Sequence, residues 1–114
     1  MKFGLLPAAA AVAFVSLQMS AFAQDAAKGR EIFVKVGCYS CHGYNGQGGV
    51  TGPKLAPEPL SADAIATYIR NAGPTRMPQY VEKVLSNEEI GHIHAWLASQ
   101  PKSKNWKEIP LLNQ

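Results

Sequence analysis

The most restrictive feature of this chain is the stretch Cys38-Tyr39-Ser40-Cys41-His42. Two cysteines separated by two residues and followed at once by a histidine form the C-x-x-C-H pattern, which is typical of covalent c-type haem attachment. Thiols one helical turn apart can each form a thioether with a vinyl group of one porphyrin, and the next imidazole can ligate the iron. The pattern therefore predicts one haem c per chain, covalently held by Cys38 and Cys41, with His42 as an axial ligand.

Other interpretations of the two cysteines stay open, with less support. A thioredoxin-like redox pair lies near a βαβ pattern, whereas no alternating or β-branched run precedes Cys38. A structural zinc site needs four ligands, and the other histidines, His92 and His94, lack the usual zinc-finger spacing. A disulfide between Cys38 and Cys41 would close a loop too short to restrain the unfolded chain much.

Residues 1–23 have the composition of a secretory signal. Lys2 precedes an almost wholly apolar stretch from Phe3 to Val15, and Ala21-Phe22-Ala23 has the small-x-small pattern of a cleavage site. We therefore expect cleavage before Gln24 and a periplasmic location, which suits the attachment of haem outside the bacterial cytoplasm. The alternative is an uncleaved membrane anchor, since the apolar stretch is nearly long enough to span a bilayer.

Charge and size limit what the remaining chain can do. The formal charge of +3 includes Lys2, so the chain from Gln24 onwards carries +2. This near neutrality provides no basic footprint for nucleic-acid binding. A domain this small buries a modest core, and a haem held through two thioethers would supply a large apolar body as well as a cross-link.

Apolar spacing predicts helices from Asp25 to Val36, from Ala62 to about Asn71, and from Ser86 to about Ser99. Gly37 is expected to end the first helix, Ser61 to cap the second, and Ser86 to form a capping box with Glu89 in the third. The apolar stripe of the third helix is Ile90, Ile93 and Leu97, with Trp96 at its edge, which predicts surface or rim positions for His92 and His94. No convincing strand is present, so the fold class is all-α.

Two loops separate these helices. Residues 43–59 are rich in Gly and Pro and are expected to follow a flexible path around a flat cofactor. Residues 74–81 carry Met77 between Pro74 and Pro78, and Met77 is the only methionine after the predicted signal. A lone methionine is usually core filler, but this one lies on a loop, far enough from His42 to reach the opposite haem face.

These residues together resemble a class I cytochrome c of the short bacterial periplasmic kind. Beyond the haem motif, Gly52-Pro53-Lys54-Leu55 and Met77-Pro78 match motifs of that family, in the family's order. The resemblance implies three to four helices around one haem, with Gly29 and Phe33 crossing Trp96-Leu97. It also implies that the carbonyl of Pro53 accepts a hydrogen bond from the His42 imidazole, that Leu55 packs on the ring, and that Met77 is the second axial ligand.

The resemblance implies an electron carrier rather than an enzyme, exchanging electrons with a dehydrogenase donor, an oxidase acceptor or both. It leaves open whether the protein is a free shuttle or the cytochrome subunit of a periplasmic dehydrogenase. The alternative function is a gas-binding or peroxidase-like haem protein with a labile Met77. We expect the cytochrome domain to comprise residues 24–100, followed by an extension, residues 101–114, that is both basic and apolar.

Overall fold

The computed structural model describes Gly4 and residues 24–114. In that part of the chain the helices are α1 (Ala26–Lys35), α2 (Tyr39–His42), α3 (Ala62–Asn71) and α4 (Asn87–Ser99), followed by the 3₁₀ turns η1 (Trp106–Glu108) and η2 (Pro110–Leu112). The described residues form no β-strand, and the predicted all-α fold is confirmed. Apart from Gly4, the predicted signal lies outside the described residues.

Helices α1, α3 and α4 begin where capping side chains satisfy their first backbone N–H groups. The hydroxyl of Ser61 accepts from the N–H of Ala64 at the start of α3. The predicted capping box of α4 is present, with Ser86 and Glu89 each accepting the backbone N–H of the other. At α1 the cap is Asp25, so this helix starts one residue later than predicted. None of the described helices has the length and apolar character needed to cross a membrane.

Gly37 ends α1 and passes the chain directly into the haem-attachment motif. It adopts a φ of +85°, in the left-handed region that glycine tolerates best. The N–H of Gly37 donates to the carbonyl of Val34, and the N–H of Cys38 donates to the carbonyl of Phe33. These two bonds form a Schellman motif, which fixes Cys38 relative to the last turn of α1.

Helix α1 crosses α4 at Gly29, as predicted. A Cβ atom at Gly29 would lie 1.9 Å from the carbonyl oxygen of His92, so a side chain at this position would hold the two helices apart. One turn later Phe33 packs against Trp96, with ring centroids 4.8 Å apart. Trp96, predicted at the edge of the helix stripe, is only 5% exposed and belongs to the core, and its predicted contact with Phe33 is present.

The prediction that His92 lies at the surface or rim of the helix was wrong. The residue is 6% exposed, and its Nδ1 accepts the backbone N–H of Asp25 at 2.8 Å. The close helix approach at Gly29 is the reason, because it brings this side of α4 against the start of α1. His94 is half-buried, as expected for a rim residue.

Residues 43–59 form an ordered loop rather than the flexible path we expected. The carbonyl of Gly46 accepts hydrogen bonds from the N–H groups of both Leu55 and Ala56, at 2.8 and 2.9 Å. The N–H of Gly48 donates to the carbonyl of His42 at 2.8 Å. The backbone bonds of this loop therefore tie Leu55 to the segment that immediately follows the C-x-x-C-H motif.

The extension after Pro101 has its own local order. Asn105 and Glu108 form a capping box around η1, and the Asn113 side chain donates to the carbonyls of Trp106, Lys107 and Ile109. Trp106 is 58% exposed, and Leu111 and Leu112 are exposed as well. An exposed ion pair between Lys102 and Glu58, at 2.9 Å, joins the extension to the 43–59 loop.

Candidate haem-binding site

A cavity of about 490 Å³ lies among the helices and both loops. Its volume is within the usual range for pockets that hold small molecules and cofactors. Much of its wall is aliphatic or aromatic, contributed by Phe33, Leu55, Leu60, Ile65, Ile69, Leu85, Ile90, Ile93 and Leu97. The cavity therefore provides a low-dielectric environment for an apolar cofactor of suitable size.

The predicted site residues come together at this cavity. Its wall contains both cysteines and the histidine of the motif, and it also contains the candidates from the two loops: Cys38, Cys41, His42, Pro53, Leu55 and Met77. Met77 is half-buried and Cys41 is exposed. The sequence separates Met77 from the haem motif by a loop, a helix and part of a second loop, and the tertiary fold brings them to one space.

The His42 imidazole is held in one orientation. The residue is 9% exposed, and its Nδ1 lies 2.7 Å from the carbonyl oxygen of Pro53. A carbonyl only accepts hydrogen bonds, so Nδ1 must carry the proton in this contact. The neutral ring then has an unprotonated Nε2, which is the state a metal ligand needs.

Gly52 makes room for this contact. A Cβ atom there would lie 2.6 Å from the carbonyl oxygen of Cys41 and 3.1 Å from Nδ1 of His42. The backbone of the 43–59 loop can approach the imidazole this closely only because position 52 has no side chain. Gly52 was predicted as part of the Gly52-Pro53-Lys54-Leu55 motif, and its steric role is visible only in the tertiary structure.

No sequence pattern pointed to Tyr80 at this cavity, or to Arg70, which contacts Tyr80. Tyr80 lines the cavity, and its hydroxyl donates to the carbonyl of Val36 at 2.8 Å. Arg70 donates from Nη1 to the carbonyl of Tyr80. Burial is the main cause that raises the pKa of Tyr80, followed by the nearby thiols of Cys38 and Cys41, so this hydroxyl keeps its proton and remains a donor.

The environment of Cys38 argues against thiolate chemistry. Burial raises the pKa of the Cys38 thiol to about 11, whereas redox-active and metal-binding cysteines need a stabilised thiolate. Within the described residues no group of three or more His, Cys, Asp or Glu side chains could hold a metal ion by itself. The raised pKa of Cys38 therefore disfavours the redox-pair interpretation.

The donor set fits an iron porphyrin. His42 presents an imidazole nitrogen and Met77 a soft thioether sulfur, which is the axial pair of many c-type cytochromes. Cys38 and Cys41 can supply two thioether links, and the apolar wall can receive the ring. The chemistry of these residues thus agrees with a haem in this cavity.

Comparison with known families decides the class of protein. The model of a family described as "Cytochrome C oxidase, cbb3-type, subunit III" matches residues 24–97. The chain belongs to this family of cytochrome c domains. All of the predicted site residues of this cytochrome, from Cys38 to Met77, lie within the matched range, and the predicted resemblance to c-type cytochromes is confirmed.

Two curated relatives are themselves cytochrome c subunits. The cytochrome is 44% identical over 57 residues to the menaquinol:cytochrome c reductase cytochrome c subunit of Bacillus subtilis (strain 168), a match covering 50% of this chain and 22% of the relative. It is 32% identical over 88 residues to the cytochrome bc1 complex cytochrome c subunit of Corynebacterium diphtheriae (strain ATCC 700971 / NCTC 13129 / Biotype gravis), covering 72% of this chain and 31% of the relative. The chain thus spans less than a third of the length of either relative. No solved structure matches it significantly.

Proposed function

We propose that this cytochrome is a one-electron carrier outside the cytoplasm that holds a single haem c through Cys38 and Cys41, with His42 and Met77 as axial ligands. The observation that carries the proposal is the wall of one apolar cavity, which contains both cysteines, Met77 and the His42–Pro53 hydrogen bond. When bound, the haem supplies an iron that alternates between the ferrous and ferric states.

The protein side chains set the properties of that iron. The carbonyl of Pro53 orients the His42 ring and raises its basicity as a ligand. A thioether ligand from Met77 favours the reduced iron and raises the potential relative to a second histidine. The apolar wall acts in the same direction, since it disfavours the extra positive charge of the ferric state. With both axial positions closed, no coordination site is left for a substrate, so we propose electron transfer without catalysis.

We further propose that the cytochrome works as a subunit of, or in close contact with, a larger redox complex. One relative is the cytochrome c subunit of a menaquinol:cytochrome c reductase, and the other is the cytochrome c subunit of a cytochrome bc1 complex. The extension exposes three large apolar side chains: Trp106, Leu111 and Leu112. Exposed apolar surface of this kind is typical of a protein interaction site. Aromatic anchors of this kind often dominate the binding energy of a protein interface.

Haem attachment and ligation can be tested on the protein matured with its cofactor. The pigment should stay with the chain after denaturation and acid–acetone extraction, and Cys41→Ala should leave at most one covalent link. The ferric protein should show the weak red charge-transfer band of a methionine sulfur bound to iron. Met77→His should abolish this band and lower the potential.

The alternative haem functions give a different result. Extraction of free haem from the wild-type protein would contradict covalent attachment. A wild-type protein that lacks the band and binds carbon monoxide readily at neutral pH would contradict a closed iron site. That second outcome would favour the gas-binding or peroxidase-like function.

A further inference from the structure

We propose that Tyr80 is a positioning residue for Met77. The Tyr80 hydroxyl, together with the Arg70 guanidinium that donates to the Tyr80 carbonyl, keeps the Met77 sulfur at the haem iron. We call Tyr80 and Arg70 the loop brace. The inference deepens the proposed function and rests on ligation by Met77.

The Tyr80 side chain connects the two segments that carry the predicted haem ligands. Tyr80 lies three residues after Met77, and both line the same cavity. Its hydroxyl donates to the carbonyl of Val36 at 2.8 Å, and Val36 is the C-cap of α1, two residues before Cys38. A single hydrogen bond therefore ties the Met77 loop to the turn that begins the haem-attachment motif.

The backbone of Tyr80 is fixed as well. Its N–H donates to the carbonyl of Ile69 in α3 at 3.0 Å, and its carbonyl accepts from Nη1 of Arg70. Nη2 of the same guanidinium donates to the carbonyl of Leu85 at 2.8 Å and to Oδ1 of Asn87 at 2.9 Å. Arg70 thus holds the segment after Met77 at two points, because its rigid fork presents several donors in one plane.

Met77 needs such support from outside its own side chain. Methionine has three rotatable bonds and an uncharged, weakly accepting sulfur, so its side chain specifies its own position poorly. The backbone hydrogen bonds around the loop hold Tyr80 and Leu85, both of which follow Met77. Loosening the contact at Tyr80 would let the loop move away from the iron, while the covalent links at Cys38 and Cys41 kept the haem in place.

The decisive variant is Tyr80→Phe, which removes the hydroxyl and keeps the ring that lines the cavity. The matched control is Tyr44→Phe, which removes the same hydroxyl from an exposed tyrosine outside the wall of this cavity. A second control, Asp25→Ala, removes the cap of α1 far along the chain from the Met77 loop and lowers stability without touching the brace.

The measurement is a titration of each ferric holoprotein with imidazole. Binding is monitored by the loss of the red charge-transfer band as imidazole replaces the methionine sulfur. We expect Tyr80→Phe to keep the band at neutral pH but to bind imidazole about five- to tenfold more tightly than wild type, the factor equivalent to one net hydrogen bond. Both controls should bind imidazole as wild type does. Arg70→Lys, which keeps the charge but loses the planar fork, should shift the affinity in the same direction as Tyr80→Phe.

The possible failures are distinguishable. If the wild-type protein has no charge-transfer band, ligation by Met77 is wrong and the brace falls with it. If wild type has the band but Tyr80→Phe and wild type bind imidazole equally, the brace alone is wrong. If Asp25→Ala shifts the affinity as much as Tyr80→Phe, the effect reflects general stability, and the positioning role of Tyr80 is likewise overturned.

Discussion

Nδ1 of His92 accepts the backbone N–H of Asp25 at 2.8 Å, which joins the middle of α4 to the residue that caps α1. Nε2 of the same ring lies 3.7 Å from the carboxylate of Glu88, which is exposed. The first contact is part-buried and links residues 67 positions apart. His92 therefore links the two crossing helices by a hydrogen bond, and its replacement should lower the free energy of unfolding.

Replacing His92 tests the contribution of this hydrogen bond. His92→Leu keeps the bulk but leaves the N–H of Asp25 without its acceptor, which should lower the free energy of unfolding by about 1–3 kcal/mol. Glu88→Gln, on the exposed side of the same ring, should change it by less than about 0.5 kcal/mol. Denaturant unfolding of the haem-bearing protein measures both, and equal stabilities for His92→Leu and wild type would show that the bond is dispensable.

Gly29 should tolerate no side chain at the helix crossing. Alanine is a better helix former than glycine by about 1 kcal/mol, so an exposed Gly→Ala change in a helix would stabilise it. At Gly29 the added Cβ would lie 1.9 Å from the carbonyl oxygen of His92, and overpacking of this kind typically costs about 1–3 kcal/mol. We therefore expect a net loss of thermal stability for Gly29→Ala. An unchanged or higher melting temperature would mean that the helices separate at little cost.

Gly52 should influence the iron through His42. Gly52→Ala would push the loop away from the imidazole and weaken the bond between Nδ1 and the Pro53 carbonyl. A less basic imidazole stabilises the ferric state less, so the reduction potential should rise. If the bond stabilises the ferric state by about 1 kcal/mol more than the ferrous state, its loss shifts the potential by roughly 40 mV for one electron.

The same loop provides a control for Gly52. Gly49 has open space where its Cβ would be, so Gly49→Ala should leave the potential unchanged. Potentiometric titration of the two variants against wild type compares them directly. A potential that stays constant in Gly52→Ala, with the haem still bound, would show that this hydrogen bond does not tune the iron.

The extension after Pro101 should serve docking more than folding. Three of its apolar side chains, Trp106, Leu111 and Leu112, are exposed, and an exposed ion pair between Lys102 and Glu58 joins it to the domain. Deleting residues 102–114 should therefore leave the haem spectrum and the melting temperature nearly unchanged. Reduction by an extract of the source organism should become slower, whereas reduction by ascorbate should not.

A point variant separates the roles of the extension. Trp106→Ala removes the proposed anchor but keeps the lysines, so it should slow partner reduction at every salt concentration. The lysines should act mainly at low ionic strength, because salt screens exposed charges. If the truncated protein has a lower melting temperature but is reduced at the normal rate, the extension stabilises the fold and does not serve docking.

Much of the site was predictable because its chemistry lies within a few consecutive residues. Cys38, Cys41 and His42 form one contiguous motif, and the capping residues Ser61 and Ser86 act on N–H groups at most three positions away. Met77 was predicted as the only methionine after residue 23, between two prolines, and the structure places it in the cavity wall. Signals of this range depend on local backbone geometry, which a linear pattern reports directly.

The sequence by itself determined α1, α3 and α4, the caps at Ser61 and Ser86, the end of α1 at Gly37 and the residue types offered to a haem. Only the tertiary structure decided that Tyr80 reaches Val36, that Arg70 holds the Met77 loop, and that His92 is buried against Asp25. The physical reason is that each of these contacts ends on a backbone atom, and every residue carries the same backbone groups. A side-chain pattern therefore cannot say which distant N–H or carbonyl will be within reach, and the packing of α1 and α3 against α4 makes that choice.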